Sequence, residues 1–182
     1  TGCASSARTK VDVSVTGFPD VPCSFANAQE TYNPGLISIA TILKADSAID
    51  EDVNTASQIK VFVNVAAGFG QKLIFPFQGH AGDSVHIKIS ADPGQLLSLS
   101  VLGGTHVRTF NGATDNNDGT DVNNTSLVKL DLLNSGGNAG LISFKATKDF
   151  NAVALYQTDL LNATIFSDGL RVYYVSASLP TP

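Results

Sequence analysis

Residues 59–65 read IKVFVNV, with Ile59, Val61, Val63 and Val65 at every second position and Lys60, Phe62 and Asn64 between them. Successive side chains of a strand point to opposite faces, so this alternation predicts a half-buried β-strand with Phe62 on its outward face. The pattern recurs in both directions. Downstream it returns at Leu73, Phe75 and Phe77, where Pro76 suggests an edge position, then at Val85, Ile87 and Ile89 with His86 and Lys88 turned outward. It continues at Leu97, Leu99 and Val101, at 107–110, and at Val128, Leu130 and Leu132. Ile142 and Phe144, Val153 and Leu155, and Leu170, Val172 and Tyr174 complete the series. Upstream, residues 36–43 (LISIATIL) predict a buried strand and residues 23–34 no firm element. Residues 10–16, KVDVSVT, set Val11, Val13 and Val15 against Lys10, Asp12 and Ser14. Gly, Asn, Asp and Pro fill the intervals and no 3.6-residue period is sustained. The prediction is an all-β, two-sheet sandwich of jelly-roll type with an extra N-terminal strand. We divide the chain into an N-terminal extension, 1–22, carrying the strand 10–16, and a single sandwich domain, 23–182.

A chain of 182 residues suffices for one sizeable core. Charged residues are only 15% and the net charge is −5, so the basic face that a nucleic acid requires is lacking. No apolar run approaches the ~20 residues of a membrane-spanning helix. The sequence begins at Thr1 and contains no methionine, which predicts a removed leader and export. Cys3 and Cys23, the only cysteines, lack zinc or thioredoxin spacing. A disulfide pinning the N-terminal extension is expected; two buried free thiols, or a lipoprotein-type Gly2-Cys3, are the alternatives.

Residues 46–57, DSAIDEDVNTAS, cluster oxygen-bearing side chains. Asp50, Asp52 and Asn54 alternate and Thr55 follows, a spacing at which oxygens converge on a hard cation such as calcium. The other reading is a solvated turn between two apolar runs. A second polar stretch, 111–125, reads first as a flexible surface loop; Asp115, Asn117, Asp118 and Asp121 also offer oxygens for a second cation, without the EF-hand spacing. The same stretch holds the sequons Asn123-Asn124-Thr125 and Asn124-Thr125-Ser126. No nucleophile elbow, H-E-x-x-H or P-loop occurs. His80, His86 and His106 are not spaced as a metal triad, and His86 reads as a solvated rim histidine. Nothing in the sequence therefore predicts an enzyme.

Residues 23–54, CSFANAQETYNPGLISIATILKADSAIDEDVN, resemble the start of a domain of secreted and cell-surface proteins of Bacteroidetes-type bacteria, which read C-a-F-A-n-x-Q, a Gly-Leu step, then n-A-V-D-G-D. The blocks 71–85, 102–115 and 130–153 resemble that family in the same order. The acidic turn is also similar to the calcium loop of discoidin-like, galactose-binding jelly rolls, A-x-D-G-[DN]-x-x-T. That resemblance implies carboxylates from Asp50 and Asp52, an oxygen from Thr55 and the backbone carbonyl of Ala48 as calcium ligands. Glu51 departs from the pattern's glycine, and residues 171–177 lack the glutamate that completes such sites.

Together these readings predict a non-catalytic extracellular structural subunit, secreted or held at the cell surface and stabilised by calcium. It would assemble with copies of itself into a filament by lending the strand that bears Val11, Val13 and Val15 to a neighbour. The same strand folding back on its own domain is the competing reading. The alternative function is a carbohydrate-binding or adhesive module with surface glycans as partners. The absence of Trp and the presence of only four Tyr give it few stacking platforms; Phe62 is the outward aromatic to test, with burial from both sides as its other, favoured reading.

Overall fold

Alternation becomes a strand where both backbone edges find partners and one side-chain face finds the core. The computed structural model describes residues 3–4, 21–34, 37–50, 52–65, 68–91, 97, 102–133, 138–158 and 169–178. In chain order the strands are β1 (Cys3–Ala4), β2 (Val21–Phe25), β3 (Ala28–Tyr32), β4 (Ile37–Leu43), β5 (Ser57–Val65), β6 (Phe69–Gly79) and β7 (Ser84–Ser90). They continue with β8 (Thr105–Asn111), β9 (Thr114–Asp115), β10 (Thr120–Asp121), β11 (Val128–Leu132), β12 (Ala139–Lys145), β13 (Phe150–Gln157) and β14 (Leu170–Ser178). One 3-10 turn, Ala45–Ala48, lies between β4 and β5. The strand expected at 10–16, with Val11, Val13 and Val15, lies outside the described residues, as do Leu99 and Val101.

Eight strands form one sheet, in the order β1-β2-β14-β7-β12-β11, with β5 also against β14 and β4 beyond β5. Six form the other, β10-β8-β13-β6-β3 with β9 on β8. Val85, Ile87 and Ile89 of β7 and Leu170, Val172 and Val175 of β14 are fully buried from the first sheet. They share one core with Leu73 and Phe75 of β6 and Val153 and Leu155 of β13. Each such side chain contributes about 1.5–3 kcal/mol of burial, which explains why the alternation was legible. The expected two-sheet, all-β sandwich is what forms.

Several local expectations are corrected. Residues 23–34, left unassigned, supply most of β2 and β3, because their apolar residues are few and their pairing to β14 and β6 is long-range. Pro76 is not on an edge strand: β6 lies between β3 and β13. It is tolerated because β3 stops pairing at Ile74 and the β13 register jumps between Gly79 and Ile74, so no ladder bond is asked of its nitrogen. The strand at 36–43 is not a buried one. β4 is paired only with β5 among the described residues, leaving Ile39 60% and Leu43 42% exposed.

A second apolar cluster sits on the far face of the six-stranded sheet, where Phe110, Ala152, Ala154 and Tyr156 pack with Tyr32 and Ile74. It explains why β13 is buried on both faces. Lys72 enters this cluster with its charge satisfied, 2.8 Å from Glu30 Oε1 and 4.6 Å from the centre of the Phe110 ring.

Candidate ligand groove and acidic turns

The acidic turn is built on a polar pillar. Buried Gln71 of β6 accepts the Ser57 hydroxyl at 2.6 Å and donates to the Ala45 carbonyl at 2.8 Å. Gln29 of β3 donates to Asp46 Oδ1 at 3.1 Å. These contacts seat the turn Ala45–Ala48, whose Ala48 side chain is buried, and they account for the glutamine of the FANAQ stretch.

Beyond the pillar the turn is closed by its own side chains. Asp50 Oδ1 accepts the Asp52 amide at 3.0 Å, and Asp50 Oδ2 accepts the Thr55 hydroxyl at 2.6 Å. Asp52 Oδ1 accepts both the backbone and side-chain nitrogens of Asn54, at 2.9 and 3.0 Å. Asp50, Asp52, Asn54 and Thr55 are thus brought together as expected. Their oxygens are of the kind calcium takes, but they face one another's donors, and an ion would have to replace those bonds.

The second polar stretch disperses its carboxylates. Asp115 pairs with Arg108 Nη1 at 2.6 Å and accepts the Asn117 amide at 2.7 Å, with Asn117 at φ 54°. Asp118 is taken by the backbone and hydroxyl of Thr109, at 2.9 and 2.6 Å, and Asp121 by the Asn123 amide at 2.8 Å. Among the described residues no three His, Cys, Asp or Glu side chains gather as a metal group. β1 lies beside β2, the strand carrying Cys23, with Cys3 opposite Val21.

The histidines stand apart. His80 lies 3.6 Å from Asp149 in an exposed turn, and His106 bonds Thr158 at 2.8 Å while stacking on Tyr156. His86 is on the outward face of β7 as expected but is not solvated. It is 4% exposed, with Nδ1 bonded to Ser143 Oγ of β12 at 2.9 Å. Burial pulls its pKa down to about 4, against a smaller opposing pull from Asp131. The ring is therefore neutral at pH 7.

His86 borders a groove of about 740 Å³ lined by residues of β7, β8, β10, β11 and β12 and their connections. Buried Val107, Val128 and Ala146, with half-buried Phe144, supply its apolar lining. Ser143, exposed Lys129 and half-buried Asp131, the last two 3.0 Å apart, supply polar groups. Sequence reasoning missed this site, since its residues come from five strands and their connections. Phe62, 60% exposed, is outward rather than buried from both sides, and it stands on β5, away from the groove in the same sheet.

The strands and the groove define a β-sandwich module with a preformed concavity. No family model matches the sequence, and no curated protein matches it. Among solved structures the chain is similar to the family 32 carbohydrate-binding module of NanJ from C. perfringens, solved in complex with galactose. The identity is 13% and the TM-score 0.45, over 85% of this chain and 98% of that one. No helix among the described residues is long and apolar enough to cross a membrane.

Proposed function

We infer that the domain is a non-catalytic, extracellular carbohydrate-binding or adhesive module of a bacterial surface protein, and that it takes its ligand in the groove beside His86. The observation that carries this reading is the groove itself. Its volume of about 740 Å³ falls within the range of ligand pockets, and its apolar lining edged by a few polar groups suits a molecule that presents both hydroxyls and C–H faces. Neutral His86, Ser143, Lys129 and Asp131 offer donors and acceptors to hydroxyls, and Phe144 offers one aromatic surface. Calcium belongs to the same proposal as a brace for the acidic turn, held by Asp50, Asp52, Asn54, Thr55 and the Ala48 carbonyl.

A glycan array followed by titration calorimetry tests the function. Saturable binding to one class of sugar is expected. Lys129→Ala, at an exposed position, and Asp131→Ala should each weaken it at least about tenfold, or 1.4 kcal/mol, the former while leaving the melting temperature unchanged. The absence of saturable binding, or binding indifferent to both variants, would overturn the reading.

A further inference from the structure

The hairpin that joins β8 to β9 begins with Asn111-Gly112, both exposed. An asparagine followed by glycine is prone to lose its side-chain nitrogen, because the glycine has no side chain to keep its backbone nitrogen from the Asn Cγ. That nitrogen adds to the side-chain carbonyl carbon, its proton and the amide NH2 leave together as ammonia, and a succinimide ring remains. Water then opens the ring at one of its two carbonyls, giving aspartate or isoaspartate. Water is the only co-reactant.

Two features of the fold hold the reacting atoms apart. The turn itself is short and paired. Asn111 faces Thr114 and Phe110 faces Asp115, which leaves Gly112 and Ala113 as a two-residue loop with Gly112 at φ +60°. Asn111 is the last residue of β8 and so extended, and ring closure requires it to rotate out of that conformation. The second feature is a side chain from another strand. The Gly112 N–H, whose nitrogen must lose its proton and turn toward Cγ, donates to Asn151 Oδ1 at 2.7 Å. Strand register places Asn151 there. The β13–β8 ladder ends with Ala152 opposite Phe110, so one step further brings Asn151 level with Asn111, at the point where the β13 register with β6 also shifts. Lys72 Nζ, 3.4 Å from the Gly112 carbonyl oxygen, ties the other side of the same residue.

We propose that Asn111 is a latent deamidation site and that Asn151 is the positioning residue that keeps it latent. Release of the Gly112 amide lets the turn convert to isoaspartate, which adds one carbon to the backbone between β8 and β9 and one negative charge to the chain. The change falls one position from the Phe110–Asp115 pair and so bears on the Asp115–Arg108 bridge. It requires no ligand in the groove.

The test follows conversion at Asn111 by peptide mass spectrometry with isoaspartate detection, on the full chain held in mildly alkaline buffer. Exposed Asn123 is the internal reference. Relative to Asn123, Asn111 should convert slowly in the folded, unaltered protein and faster in urea. In folded Asn151→Ala it should convert at least about fivefold faster than in the unaltered protein, or about 1 kcal/mol, the net worth of one hydrogen bond. Asn151→Asp, whose carboxylate still accepts the Gly112 N–H, should restore the slow rate. Should Asn151→Ala fold poorly, the unaltered protein with and without urea and the Asn151→Asp variant still decide. Conversion in the folded, unaltered protein as fast as in urea, no gain in folded Asn151→Ala, or Asn151→Asp converting as fast as the chain in urea would each overturn the proposal.

Discussion

At the scale of single residues, His86 carries a pH dependence with a definite sign. In the unfolded chain it takes up a proton near its ordinary pKa of 6.5, while the folded residue holds out until about 4. Between those values the unfolded state binds a proton that the folded state does not. The stabilisation from keeping His86 neutral is therefore whole above pH 6.5 and declines as the pH falls toward 4, by about 3 kcal/mol in all. Urea unfolding at pH 7.5 and 4.5 should show that loss, and His86→Gln should remove most of it. Equal slopes in both proteins would place the pH dependence elsewhere. Gln71 belongs to the same scale: wholly buried, it is tolerated because Ser57 and the Ala45 carbonyl meet its amide. Neither burial was legible in the sequence, where His86 and Gln71 look like any other polar residue of a strand.

At the scale of elements, β13 is the least yielding strand, held between β6 and β8 and covered on both faces. Gly70 of β6 lies directly against it. A Cβ there would meet the Leu155 carbonyl oxygen and come within 2.5 Å of the Tyr156 Cα, backbone atoms with no room to retreat. Gly82, by contrast, has open space around it and only its φ of +96° to protect. Gly70→Ala should therefore destabilise by about 3 kcal/mol or more, and Gly82→Ala by about 1 kcal/mol from backbone strain alone. Thermal melts of the two variants compare them directly, and similar losses would refute the close approach at Gly70. The strand at 59–65 was readable because its period survives in isolation. The exposure of Ile39 and Leu43 on β4 was not, since it depends on what packs over that face.

At the scale of the whole molecule, the first sheet carries a groove at β11–β12 and, remote from it, β4, which pairs only with β5 among the described residues. The acidic turn offers a separate lever on the fold. Calcium at a hundredfold excess over its dissociation constant would stabilise by about 2.7 kcal/mol, roughly 5–10 °C in melting temperature for a chain of this size. Calorimetry with calcium and with a chelator should show that difference, and superimposable curves would remove the ion from the account.

The sequence by itself determined the all-β class, most of the strands, and the close grouping of Asp50, Asp52, Asn54 and Thr55, because each depends on neighbours within a few positions. Only the tertiary structure decided that Asp115, Asp118 and Asp121 turn to separate partners, that His86 is buried, and that Val107, Val128 and Phe144 line one groove. Strand periodicity states which side chains share a face, whereas the register between distant strands states what that face meets.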